Sequence, residues 1–279
     1  TNNLKNHAIA MHNHHDTYGQ FPTGAGDNGH RVGWFPAVLG FLELGTVDGL
    51  IDWTNMNRMY NRGNPQRDAM NTSYSVNECP SDPEAGKFKL RGAYGNYMGN
   101  FGSVRYYHGS KGRVGHVSKD ADGIFFGESE INFASITDGS SNTILMSEIL
   151  NGNSTRTGHD VRGCIWDSQD GGGLFSVRDT PNSGTPDMYN YCGWTNDLFA
   201  PCVNPTGGDS LARHVTARSH HPGGVNVALC DGSVSFVSET IDSWKAAANT
   251  GHNSNWNADW LGTWQKLGSR SDGKPIGPF

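Results

Sequence analysis

His221-Pro-Gly-Gly-Val225-Asn-Val227-Ala-Leu229-Cys230-Asp231-Gly232-Ser-Val234-Ser-Phe236-Val-Ser238 is the stretch that decides the fold. Val225, Val227 and Leu229 alternate with Asn226, Ala228 and Cys230, and Val234, Phe236 and Ser238 resume the pattern after Asp231-Gly232. Period-two alternation on either side of Asp-Gly is the signature of a β-hairpin over 221–239, with a two-residue type I′ turn. That turn sets Leu229 opposite Val234 and Val227 opposite Phe236, which makes one face of the ribbon apolar. Phe236 is then expected to be buried, and Phe236→Ala to cost about 3–5 kcal/mol. The same geometry separates His221 from Asp231 by roughly 20 Å of strand, so the two do not share a site. Asp231 reads as a turn residue and His221 as a packed entry into the strand.

The other end of the chain must supply what this ribbon covers. Leu4, Ala8, Met11, His15 and Tyr18 recur at three- and four-residue steps, which predicts a helix over 2–18 that stops at Gly19 and Pro22. It starts without a capping sequence, so residues 1–18 read as the C-terminal part of a longer helix. Its histidines, His7, His12, His14 and His15, lack the Glu of a zinc-binding H-E-x-x-H helix and read as surface or packing residues. An apolar run from Trp34 to Leu44 predicts a short helix packed on the first. Asn71 to Asp82 reads as a strand end and turn, Ala93 to Gly102 and Gly123 to Gly127 as strands, and Asp138-Gly139 as a turn leading into a strand that ends at Glu148. A carboxylate closing an apolar run is a functional candidate, although a hydrogen-bonded structural glutamate is the commoner case. Residues 241–248 read as a helical turn, and Trp256, Trp260 and Trp264 as one face of a short helix.

Composition narrows the function. The 279 residues include 38 glycines and 12 prolines, with only 17% charged, which suits a loop-rich, β-containing single domain over 1–279. The net charge of −6, with scattered basic residues, disfavours nucleic acid and anionic membrane as partners. The chain has no run of apolar residues long enough to span a bilayer. No G-x-S-x-G elbow or zinc-finger spacing is present, while paired carboxylates for acid–base chemistry need no sequence spacing.

Residues 151–215 form a loop-rich insertion where binding residues are expected. Cys192 and Cys202 bracket a short loop there, either as a disulfide or as buried thiols. Two oxygen-rich turns, Asp120-Ala-Asp122 and Asp167-Ser-Gln-Asp170, are the candidate calcium ligands, against plain solvated turns. No cofactor is required. Trp166, Trp194 and the Tyr106-Tyr107 pair are candidates for stacking on sugar rings, whereas Tyr94, Tyr97 and Phe101 read as structural.

Several ordered motifs together resemble a known family. Thr1-Asn-Asn-Leu-Lys5, His12-Asn-x-His-Asp16-Thr-Tyr-Gly19-x-Phe-Pro22, Cys79-Pro-Ser-Asp82, Asn96-Tyr97, Ile136-Thr-Asp-Gly-x-Ser-Asn-Thr143 with Glu148, and His221 through Asp231-Gly232 are similar to the bacterial prepilin-type H-x9-DG proteins. The resemblance runs from residue 1 to about 241. It implies an α+β, pilin-like fold in which a long N-terminal helix packs on an antiparallel sheet, a prepilin leader, and a site in the cell envelope or on the extracellular surface. It also implies that Cys79 pairs with a cysteine preceding Thr1. On this basis the chain is expected to be a non-enzymatic pilin- or pseudopilin-like subunit. Its partners would be other pilin-like subunits or type II secretion machinery, with membrane contact only through the helix preceding Thr1. The alternatives are a surface module binding extracellular polysaccharide and a metal-assisted extracellular hydrolase.

Overall fold

The structure is a computed structural model that describes residues 1–26, 32–54, 65–89, 92–103, 106–107, 121–152, 160, 162–166, 171–189, 192, 197–204, 212–244, 261–277 and 279. Helix α1 (Asn2–Tyr18) buries Leu4, His7, Ala8, Ala10, Met11 and His14. The buried stripe thus continues through His7 and His14, and Tyr18 is exposed. Gly19 ends the helix at φ +78°, returning its N–H to His15 O, a left-handed cap that glycine adopts without steric cost. A 3-10 helix over Phe35–Phe41 and the short α2 (Gly45–Asp48) follow. The 3-10 helix packs on α1, with His14 edge-on to Phe41 and His7 edge-on to the neighbouring Trp34. Helix α3 spans Pro65–Asn71 and α4 Thr263–Gly268.

The strands are β1 (Phe88–Lys89), β2 (Gly92–Ala93), β3 (Tyr97–Gly102), β4 (Tyr106–Tyr107), β5 (Ile144–Glu148), β6 (Leu174–Ser176), β7 (Asp187–Met188), β8 (Cys202–Val203), β9 (Ala212–Arg213), β10 (Gly224–Leu229) and β11 (Val234–Ser238). Five of them form the main sheet in the order β11-β10-β5-β3-β6, antiparallel except for the β3/β6 pair. Two-stranded pairs β1/β2, β4/β9 and β7/β8 complete the set. The fold class is α+β. Every residue of β3, β5 and β10 is buried, so these central strands are covered on both faces. Helix α1 lies against β10 and β5, and α4 packs on β3. Gly99 on β3 is required by packing, because a Cβ there would stand 2.7 Å from the Phe125 ring.

The hairpin forms, with a different turn. Leu229 N–H bonds Ser233 O and Gly232 N–H bonds Leu229 O, so the loop is the three residues Cys230-Asp231-Gly232, with positive φ at Gly232 alone. A type I′ turn needs positive φ at both central residues, and Cys230 and Asp231 do not supply it. The extra loop residue shifts the register by one, pairing Asn226 with Phe236 and Ala228 with Val234. A one-residue shift turns every side chain of β11 over. Val237 is therefore buried and Phe236 is 49% exposed, which overturns the expected core role of Phe236.

Other segments also depart from their sequence pattern. Residues 71–82 hold the end of α3, a 3-10 helix over Ser75–Asn77 and a turn closed by Asp82 N–H to Cys79 O, in place of a strand. Residues 123–127 form no strand, because Ile124 and Phe125 both donate to Asn100 O and only Gly127 bridges, to Ala25. Residues 241–244 are not helical; Trp244 N–H goes to the Gln265 side chain. Trp264 is fully buried in α4, its indole N–H on Asp179 O, while Trp256 and Trp260 lie outside the described residues.

The 151–215 stretch carries β6 to β9 as well as loops. It also encloses an ion network that its loop-like composition hid. Arg162 bridges Asp160 and Asp187 at 2.7 and 2.8 Å, and Arg218 reaches Asp187 at 3.2 Å, all four buried. Burial opposes ionisation of Asp187, but Arg218 and Arg162 outweigh it and hold its carboxyl below the usual range.

Candidate functional site

Three segments far apart in the chain meet at the end of β5. Glu148 closes that strand, Cys79 opens the turn after the 3-10 helix at Ser75–Asn77, and His221 sits in the loop entering β10. His221 Nε2 is 3.3 Å from Glu148 Oε1 and 3.8 Å from Cys79 Sγ, and the three donor atoms lie within 4.8 Å of one another. Glu148 and Cys79 are buried; the His221 side chain is 29% exposed.

Local structure fixes each of the three. Asn226 donates its backbone N–H to Glu148 Oε2 at 2.8 Å and its amide to both carboxylate oxygens, while Glu148 O accepts Arg218 N–H. Ser219 Oγ accepts His221 N–H and donates to Gly224 O, which sets the loop before β10. Cys79 N–H is taken by Asn96 Oδ1, and the Asn96 amide donates to Asp82 Oδ2 and Ile149 O. Most segments that carry the family resemblance, those containing Cys79, Asp82, Asn96, Tyr97, Glu148 and His221, therefore converge on one locality.

The chemistry of this cluster follows from its geometry. A nucleophile relay places the base between thiol and carboxylate, using opposite ring nitrogens. Here one nitrogen, Nε2, faces both Glu148 and Cys79. Burial also pushes the Cys79 thiol up, against the thiolate a nucleophile needs. Burial and then the neighbouring Cys79 push the Tyr97 phenol up as well, so Tyr97 stays a neutral wall. What the cluster offers is three convergent donor atoms. Beside it, His221, His220, Ser219, Pro222, Phe199 and Asn182 line part of a cleft of about 250 Å³.

His221 is thus a member of a side-chain cluster and not merely a packed strand entry. Asp231 does stay at the turn, accepting from Ser233 N–H and Oγ. The sequence signal that points here is the charged residue ending an apolar run; nothing in the spacing ties Glu148 to residues 69 positions before and 73 after it.

The other candidates fare differently. Trp166 is fully buried against Phe35 and Tyr74, so it is a core residue and offers no platform for a sugar. Tyr106 and Tyr107 form β4, paired with β9. The carboxylate of Asp122 is half-buried and accepts Ser103 N–H and Oγ–H, and desolvation raises its pKa. These internal partners tie the Asp122 carboxylate to the backbone and hydroxyl of Ser103. Asp120, Asp167, Asp170 and Trp194 lie outside the described residues. Cys192 and Cys202 form a disulfide, Cα to Cα 5.7 Å, while Cys79, Cys164 and Cys230 are buried and take part in no disulfide. The expected partner of Cys79 is not a residue of this chain.

The helical histidines serve packing and docking. His7 is buried among Trp34, Phe35 and Tyr97 and bonds Val76 O, and burial lowers its pKa to about 4. His12 Nε2 donates to Cys230 O and Lys5 Nζ to Gly232 O, at 2.8 and 2.7 Å, so α1 holds the backbone of the hairpin loop. No helix among the described residues is long and apolar enough to cross a membrane.

No curated protein and no solved structure gives a significant match to the chain. The model of the family described as "Protein of unknown function (DUF1559)" matches residues 1–243, in keeping with the H-x9-DG motif of His221 and Asp231-Gly232, and the chain belongs to that family.

Proposed function

We propose that the chain is the globular domain of a non-enzymatic, pilin-like subunit of the cell envelope, assembled with like subunits or with secretion machinery. The observation that carries this reading is the docking of α1. The helix lies against β10 and β5, and Lys5 and His12 grip the carbonyls of the hairpin loop. An N-terminal helix sealed along a mostly antiparallel sheet is the architecture of a subunit whose helix both anchors and assembles. Leu198 and Phe199, 91% and 60% exposed between the two cysteines of the disulfide, form the contact surface in this reading.

The test is fractionation of the full-length gene product in its native envelope, followed by cysteine cross-linking from positions 198 and 199. Association with membrane or filaments and cross-links to envelope proteins are expected. A monomer recovered wholly in the soluble fraction would reject the proposal. The sugar-binding reading is the weaker one, because it loses Trp166 to the core.

A further inference from the structure

A cluster of thiol, carboxylate and imidazole is either a hydrogen-bonded knot or a cation site, and the distances are those a cation site requires. In the knot, His221 Nε2 is shared between Glu148 Oε1 and Cys79 Sγ through hydrogen bonds. In a cation site all three donors must sit at the corners of one coordination polyhedron. Zinc takes thiolate at about 2.3 Å, imidazole at about 2.0 Å and carboxylate at about 2.1 Å in tetrahedral geometry. Those bond lengths put the nitrogen about 3.3 Å from the oxygen and about 3.6 Å from the sulfur. The observed separations are 3.3 and 3.8 Å. Both observed separations match the coordination edges to within about 0.2 Å.

We infer that Cys79, Glu148 and His221 form a three-ligand site for a divalent zinc ion, with a fourth position open to water. The inference goes beyond the proposed envelope role; it needs Cys79 as a thiol, and so excludes the disulfide to a cysteine preceding Thr1 that the family resemblance implies. A buried thiol beside an imidazole selects zinc over the hard cations calcium and magnesium, which take oxygen ligands. The surroundings match what a ligand set requires of its supports. Asn226 orients the Glu148 carboxylate through two donors, and Asn96 holds the Cys79 backbone. The exposed part of His221, on the wall of the 250 Å³ cleft, gives the ion its entry and the open position its water. On binding, the thiol proton leaves to solvent, the Nε2 lone pair turns to the metal and the imidazole N–H moves to Nδ1. The ion then ties the turn at Cys79 to the ends of β5 and the loop before β10, three segments separated by 69 and 73 residues.

The test is made on the reduced, unmutated chain. Cobalt(II), as a spectroscopic stand-in, should saturate at about one equivalent with a thiolate-to-metal charge-transfer band, and zinc should displace it. X-ray absorption of the zinc-loaded chain should show one sulfur and two to three nitrogen or oxygen neighbours. Cys79→Ser should lose the charge-transfer band; Glu148→Gln and His221→Gln should keep it and weaken binding at least about tenfold. A zinc shell without sulfur in the unmutated protein, whose folding is not in question, overturns the assignment. So does a band that survives in Cys79→Ser, since another cysteine would then be its source.

Discussion

Two regions of this molecule are held together by opposite means. The β3, β5, β10 and β11 sheet under α1 is joined by apolar side chains and ladder hydrogen bonds, with Leu145, Val227 and Val237 fully buried. The region around β6 to β9 is organised on the buried charges of Arg162, Asp160, Asp187 and Arg218, with a disulfide alongside. Apolar packing fails gradually, by the volume removed. A buried ion network fails abruptly, because removing one partner strands the others away from water.

The largest effect is expected at Asp187, which faces two guanidinium groups and also accepts Thr216 N–H. Asp187→Asn should cost about 3–5 kcal/mol in urea unfolding, and a change below about 1 kcal/mol would mean that the network does not hold its region. Next comes Leu145→Ala in β5, expected at about 3 kcal/mol by the same measurement.

Acid should loosen the α1 side through His7. Its folded pKa of about 4 lies below the ordinary value of 6.5, so between those values the unfolded chain binds the extra proton. Stability contributed by neutral His7 is therefore present above pH 6.5 and falls as the pH drops toward 4, by on the order of 3 kcal/mol. His7→Phe should flatten that slope in urea midpoints measured across the window; an unchanged slope would place the titration elsewhere.

The smallest effect is expected at Phe236. Phe236→Ala should cost under about 1 kcal/mol, because the ring is 49% exposed, and a loss of about 3 kcal/mol would restore the two-residue turn and its register.

The same contrast separates what the amino-acid pattern reveals from what it conceals. Helix α1, β3, β5 and both hairpin strands are legible because apolar residues repeat at the period of the element that buries them. The hairpin register is not, since it hinges on whether Cys230 belongs to the strand or the loop, and one residue inverts the answer. The ion network is hidden because Arg162, Asp187 and Arg218 meet only in space, and charges in a Gly- and Asn-rich stretch read as solvated. Of the site, Glu148 is visible as a charge at the end of an apolar strand. Its convergence with Cys79 and His221 is not, because the sheet topology alone sets those three side by side. Trp166 misleads for a related reason: a lone aromatic in a polar stretch is exposed only if the stretch is, and Phe35 and Tyr74 cover it.

The grip of α1 on the hairpin loop also dictates an order of events. Lys5 and the carbonyl it holds are 227 residues apart, so the helix at the start of this chain finds its partner strands only after nearly everything between has been made. Long-range closure of this kind slows folding and leaves apolar surface uncovered meanwhile. The face bearing Leu4, Ala8 and Met11 must wait through the synthesis of β3, β5 and β10 before it is sheltered. A chain stopped before Leu229 would have the 3-10 helix and β5 to pack on α1 but would lack the β10 face and the loop carbonyls that Lys5 and His12 hold, so the hairpin closes the last side of the helix.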